Sequence, residues 1–574
     1  MAKNCLRIRH EESENMRTCF FSTKKILLNM IILCAANFLF AQTVEEEIEL
    51  PDVTTVVNGK TFTAGKDSVP DYTKILPENS SPEVSLPKMD GVKTSPKRTE
   101  SRERISQKEK DIYAQGELGA GYPFYFKGDF SVYRASGDSP FEIDFTHESA
   151  EGFARKKSNE GYFVRNTAVT GKKSFFGDYG NHAFGAEYKM SDDGLQLESD
   201  TYSDMVRHTI SGNASSDWKI PNGFLISYGA DGAWFNRYGQ IMKDSVSSGD
   251  FYDTTKILDV NPYFGFGWQG HGFKTILKGL YGFQANLEDT SNLQKIEGSS
   301  SAEASHRGQF KLAFSWGNES ITVGADGSLI VGTAIGKKEV IPAFTGIFDL
   351  KTNAFSEGRY FTLSVRGGID SYQEKIRNLE NKYRFSVVPA IPVETTDWFS
   401  KVDASLPILS AFELKGGFEF RKTVFENGVW QSEFKKSERY KGLYIISPKE
   451  RTEINSALGF YADFAPVKAS VEWKSYWKDI PSLEDEQKIK FSLDYQSADA
   501  KWNAGTSTAV SLGEDADLCP DISAWAGLRL ASNLSLALEV NDVIKLFHGT
   551  SRDYAHSEYI TTSGNAVLLA KFQF

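Results

Sequence analysis

The chain has 574 residues, with 65 Lys+Arg against 76 Asp+Glu and a formal charge of −11. This acidic balance comes without a basic stripe, which excludes nucleic acid as a partner, since its phosphates require a concentrated positive surface. Aromatics are abundant (41 Phe, 24 Tyr, 10 Trp) while cysteines number only 4, so no disulfide framework organises the fold.

Lys24 and Lys25 precede an apolar run over residues 26–40 that ends at Ala41. A basic start, a short greasy core and a small terminal residue describe a secretory signal peptide. The run falls short of the ~20 residues that span a bilayer. Residues 1–41 are therefore predicted to be a cleaved leader that exports the chain. Cys5, Cys19 and Cys34 lie within it, leaving Cys519 alone in the exported part. Over residues 42–111 Pro, Ser, Lys and Glu dominate, aromatics nearly vanish and no periodicity persists. Such a stretch has too little apolar surface to offset its ordering entropy, so a disordered periplasmic segment is expected.

Residues 112–574 behave differently. Phe310, Leu312, Phe314 and Trp316 alternate with Gln309, Lys311, Ala313 and Ser315. Ile489, Phe491, Leu493 and Tyr495 alternate with Lys490, Ser492, Asp494 and Gln496. Period 2 is the strand signal, and no helix is expected in this region. The runs last about ten residues, the length of a tilted membrane-spanning strand, whereas soluble strands usually last about five or six. Aromatics sit near run ends (Tyr122, Phe124, Tyr281, Phe283, Trp473, Trp477), as interfacial girdles require. The polar face is repeatedly charged (Lys415, Glu419, Arg421, Glu472, Lys474), which suits a wet lumen and favours neither sign of solute. In lipid every backbone N–H and C=O needs an internal partner, and a closed barrel supplies them all. The expected fold is all-β: a large antiparallel transmembrane β-barrel of about 22 strands (range about 20–24) in contact with outer-membrane lipid. Residues 288–305, 422–452 and 547–562 interrupt the alternation and are expected as long outward loops.

The last strand places Ala566, Leu568, Ala570, Phe572 and Phe574 on one face. It resembles the terminal β-signal of outer-membrane proteins, which implies that the barrel-assembly machinery reads Phe572 and Phe574. Upstream, Asn533-Leu534-Ser535-Leu536-Ala537-Leu538-Glu539-Val540-Asn541-Asp542 leads through a loop to Gly564-Asn565. This is similar to the closing strands of TonB-dependent receptors. Behind the leader, Ile48, Leu50, Val53, Thr54, Thr55, Val56 and Val57 form a β-branched stretch beside a polar linker that looks like that family's TonB box. An extended segment of this kind can add a strand to a sheet edge of a TonB-like periplasmic protein. The chain departs from the family between Val57 and Ile112, where the short polar stretch cannot fold into the family's globular plug. The resemblance implies a plugless, receptor-like barrel that moves a solute across the outer membrane. A passive porin, or a structural or adhesive surface protein with long loops, remains open beside it.

His147, His182, His208, His271, His306, His548 and His556 show no HxxxH or HExxH spacing and are read as polar-face or loop residues. Gly137-Asp138-Ser139 reads as a turn rather than a hydrolase nucleophile. Gly265, Gly267, Gly270 and Gly272 sit among alternating aromatics and read as strand and turn glycines, not a phosphate cradle. Accordingly no catalytic residue, metal site or cofactor is expected, and the chain is read as no enzyme.

Overall fold

The computed structural model describes residues 112–574 apart from 136–138, 248–251, 289–302, 336–339, 354–358, 425–427, 515 and 563. The leader and the 42–111 segment lie outside the described residues. The alternating runs form one 22-stranded antiparallel sheet in which strands pair with their chain neighbours. It closes where the first strand, Tyr113–Tyr122, pairs with the last, Asn565–Gln573. An even strand number lets the two ends meet antiparallel, so no sheet edge is left open.

Connections differ in length between the two ends of the barrel. At one, the turn end, they span only residues such as 177–179, 271–272, 410–411 and 532–533. At the other, the loop end, they include 242–253, 374–393, 424–451 and 542–564. Strand length exceeds the expected ten residues on one side of the cylinder, where Tyr202–Ile220 runs for 19 residues and Phe224–Ile241 for 18. These strands continue past the apolar band at the loop end, where buried luminal groups pair with loops.

The outer face is greasy because every second side chain points to it. Phe310 and Leu312 are 64% and 54% exposed, while Lys311 between them pairs inward with Asp326 at 3.2 Å. Trp218, Trp268, Phe273, Trp316 and Trp502 ring the turn end, and Tyr188, Tyr281, Trp398 and Trp477 ring the loop end. On the strand Phe273–Asn286, outward aromatics run from Phe273 to Phe283. Ten residues at ~3.3 Å each, tilted by ~40°, give a band about 25 Å tall. Leu312 lies near its middle. Leu312→Lys is therefore expected to cost about 2–4 kcal/mol, read by urea titration of folding into phospholipid vesicles.

Four histidines correct the sequence reading. His147, His182, His208 and His306 share the outward face with the exposed Phe145, Phe184, Ile210 and Phe310, not the polar face. Each lies beside aromatics: His182 is 5.3 Å from Trp218, and His208 stacks between Tyr188 and Tyr238 at 6.1 and 5.9 Å. Their ring nitrogens meet neighbouring hydroxyls, at 2.8 Å for His147–Thr167 and 2.7 Å for His306–Tyr281. An amphipathic ring whose polar atom is satisfied locally is suited to headgroup depth. His271, His548 and His556 lie in turns or at helix and loop positions.

The seam shows what the C-terminal pattern does. Glu117 on the first strand receives Lys127 and Lys571 at 2.7 Å each, joining the second, first and last strands inside the lumen. On the outside, the Phe572 ring fills the space that a side chain at Gly116 would occupy, 2.4 Å from a Cβ built there. Phe574 pairs ring to ring with Phe572 at 5.7 Å. At the loop end of the final hairpin, Asn541 Nδ2 donates to Asn565 Oδ1 at 2.9 Å. Asp542 then caps the helix Val543–His548 and accepts from Arg552 at 2.8 Å. Gly564 at φ 81° lies against the Leu546 amide, too close for a side chain.

The expectation of no helix is also corrected. Helix α1 (Ile376–Lys382) and helix α2 (Val543–His548) occur, both in loop-end connections. The 422–452 and 547–562 interruptions are long connections as expected, and most of 288–305 lies outside the described residues. The connection 374–393 was not foreseen, because α1 is too short to disturb the surrounding period-2 signal.

Candidate functional site

The lumen is the candidate site. Its wall is lined by residues of both signs that neutralise one another. Arg421 donates to Glu419 at 2.6 Å, Lys415 meets Glu413 at 3.4 Å, and Lys474 meets Glu484 at 3.2 Å. The Tyr461 hydroxyl donates to Glu472 at 3.0 Å. All five charges singled out from the alternation therefore face inward, as expected of a wet interior. Near the turn end, Arg359, Glu413, Tyr461, Ser492 and Asp494 help line a polar pocket of about 350 Å³.

At the loop end, connections fold inward and pack on the wall. Residues 374–393 leave the wall strand Tyr360–Gln373 and run as a strap along the inner wall. Hydrogen bonds and ion pairs fasten the strap strand by strand. The Ile376 amide donates to Gln284 at 3.0 Å, and Arg377 and Lys375 reach Asp259 at 3.0 and 3.7 Å. Glu380 meets Arg237 at 2.8 Å with both side chains fully buried, and its other oxygen accepts the Val388 amide at 3.1 Å. Arg384 donates twice to Asp193, at 2.9 and 2.6 Å. Removing one partner of a buried pair typically costs about 3–5 kcal/mol, because the other is left buried and charged.

Beyond α1 the strap enters a small four-stranded sheet. Ser386–Val387 pairs in parallel with Leu443–Lys449, which also pairs with Val429–Ser432 and Arg439–Tyr440. The connection to the last strand completes the layer. Tyr559 stacks on Phe385 with ring centroids 3.8 Å apart and 4° between planes, and Tyr554 meets Phe385 edge-on at 5.2 Å. Phe385, Trp430, Leu443, Tyr444 and Tyr559 bury against Leu195, Phe235 and Ile257 of the wall and its loops. Each such side chain contributes about 1.5–3 kcal/mol by leaving water. The sequence drives this inward folding: these connections carry too many large apolar residues to be left in solvent.

The lid is tied around the rim. Gln196 exchanges two 2.9 Å hydrogen bonds with the Ile560 backbone, and Arg439 reaches Glu198 at 2.8 Å. Arg552 meets Asp517 at 3.2 Å, and Leu483 packs on the apolar core. Burial raises the Tyr559 and Tyr554 phenols above their ordinary range. The Lys436 ammonium, hydrogen-bonded to Glu558, holds that carboxyl below its usual value.

Sequence reasoning did not single out Asp193, Arg207, Arg237, Glu380 or Arg384. One signal was available: Ile376, Leu379 and Tyr383 recur at helical, not strand, spacing. The ion pairs themselves left none, since their members come from distant strands. Of the residues singled out, Phe572 and Phe574 lie at the seam toward the turn end, not in the lid. The TonB-box-like Ile48, Leu50, Val53, Thr54, Thr55, Val56 and Val57 lie outside the described residues. Ser139 sits in a turn-end connection. Among the described residues no group of three or more His, Cys, Asp and Glu side chains is arranged to hold a metal ion.

No family model and no curated protein matches the chain. Solved structures do. The FrpB iron transporter of Neisseria meningitidis superposes with a TM-score of 0.58 at 9% identity, covering 81% of each chain. The siderophore receptor PirA of Acinetobacter baumannii gives 0.58 at 10% identity, again over 81% of each. A variant of the ferric enterobactin receptor PfeA of Pseudomonas aeruginosa gives 0.56 at 10% identity over 81% of each. At such identities the likeness is one of fold. The chain is thus an outer-membrane-type β-barrel resembling the barrel part of TonB-dependent receptors.

Proposed function

We propose that this protein is an outer-membrane transport barrel, receptor-like but without a plug domain, that carries a solute through its lumen. In this reading residues 1–41 are removed on export, 42–111 lie in the periplasm and the loop end faces outward, as long loops of such barrels do. Assembly proceeds through the barrel-assembly machinery recognising Phe572 and Phe574. The observation that carries the reading is a charged lumen whose loop end carries a packed, ion-paired lid of inward-folded connections. A permanently open porin has no use for such a lid, which favours a gated carrier over passive diffusion. The solved iron and siderophore receptors of this fold make ferric chelates the first solutes to test. Energy enters through Ile48–Val57 docking as an added strand on a TonB-like partner. Deleting residues 45–57 is expected to abolish uptake while the barrel still inserts and shows heat-modifiable migration. Uptake at the wild-type rate after that deletion would reject energy coupling. No enzymatic role is proposed.

A further inference from the structure

We infer that the lid opens by a partner exchange at Asp193, with Arg207 as the waiting partner, while helix α1 stays on the wall. In the closed state Asp193 is shared. Its Oδ2 accepts from Arg207 Nη1 at 2.8 Å, and its Oδ1 accepts from the lid's Arg384 Nε and Nη2 at 2.9 and 2.6 Å. Arg207 is only 2% exposed, yet among the described residues its Nε–H and Nη2–H meet no hydrogen-bond acceptor. Two orphaned donors on a buried guanidinium raise the energy of the closed state.

When Arg384 departs, Asp193 Oδ1 loses both donors. Arg207, on the neighbouring strand, can turn its idle N–H groups onto that carboxylate and form the two-pronged pair that guanidinium and carboxylate favour. Each state therefore leaves a different set of groups satisfied, and the wall stays paired after the lid has gone. Arg384 already has a quarter of its side chain exposed. The Glu380 anchor behaves differently. Both its oxygens are engaged and it is fully buried, so pulling it out strands two buried charges. Motion is thus confined to Arg384–Val387 and the sheet strands paired with it, between α1 and the Val388 amide that Glu380 holds.

This inference rests on the lumen being the solute's path. The test needs neither solute nor energising partner, so its failure is separable from failure of the transport reading. Hydrogen–deuterium exchange is followed on the full chain folded in detergent, at the amides of Val429–Ser432 and Leu443–Lys449, after heat-modifiable migration confirms an intact barrel. Arg384→Gln is expected to speed exchange about tenfold, and Arg207→Gln to slow it severalfold, on the scale of a charge-assisted hydrogen bond. These opposite signs for two substitutions around one carboxylate are the signature of exchange. A merely structural ion-pair cluster loosens with either. Faster exchange in both variants, or no change in one of them, overturns the proposal.

Discussion

Phe385→Ala is expected to unfold the lid and leave the barrel standing. Phe385 is fully buried, stacked on Tyr559 and edge-on to Tyr554, and it joins the strap to the connection before the last strand. Truncating a buried aromatic costs about 3–5 kcal/mol, comparable to the whole stability of a small apolar core. The barrel does not share the loss, because its strands are held by their own ladder and by lipid. Purified variant in planar bilayers should then conduct steadily where the wild type is mostly silent, and protease should cut within 424–451. Heat-modifiable migration should persist. A variant as silent and as protease-resistant as the wild type would show that the lid does not depend on this stack.

Gly121→Val should have the opposite pattern, loss of the barrel itself. A Cβ at Gly121 would lie 2.2 Å from the Ala566 carbonyl oxygen and 2.9 Å from the Val567 Cα. Both are backbone atoms of the last strand, which cannot step aside without breaking the pairing that closes the cylinder. The expected cost is about 3 kcal/mol or more. An unclosed seam leaves unpaired strands in lipid, so the chain should fail to show the folded, fast-migrating band and be degraded. Gly116→Ala provides the contrast. There the obstacle is the Phe572 ring, a side chain at the membrane surface that can swing away, so a milder defect is expected. Equal band intensity for Gly121→Val and wild type would contradict the seam packing described above.

Much of the architecture was legible because a membrane barrel obeys a rule that reads directly from sequence. Lipid outside and water inside force alternate residues to opposite polarity, so Phe310, Leu312, Phe314 and Trp316 announce both a strand and its outer face. The strand number followed from counting such runs. The closing strands were visible too, since Phe572 and Asn541 sit in patterned positions near the chain end. The histidines were misplaced because polarity alone assigned them inward, whereas His208 owes its outward position to two flanking tyrosines on neighbouring strands.

Sequence by itself thus determined an alternating, lipid-facing cylinder and its approximate size, because burial in a bilayer is a local demand on each residue. Only the tertiary structure decided that the loop-end connections fold inward, and what fastens them there. Glu380 and Arg237 stand 143 positions apart, and Arg384 and Asp193 stand 191 apart. Such pairs exist only once the cylinder has closed and the 374–393 connection has turned inward. The physical reason is that charge pairing in a low-dielectric interior depends on three-dimensional proximity, which no local periodicity encodes.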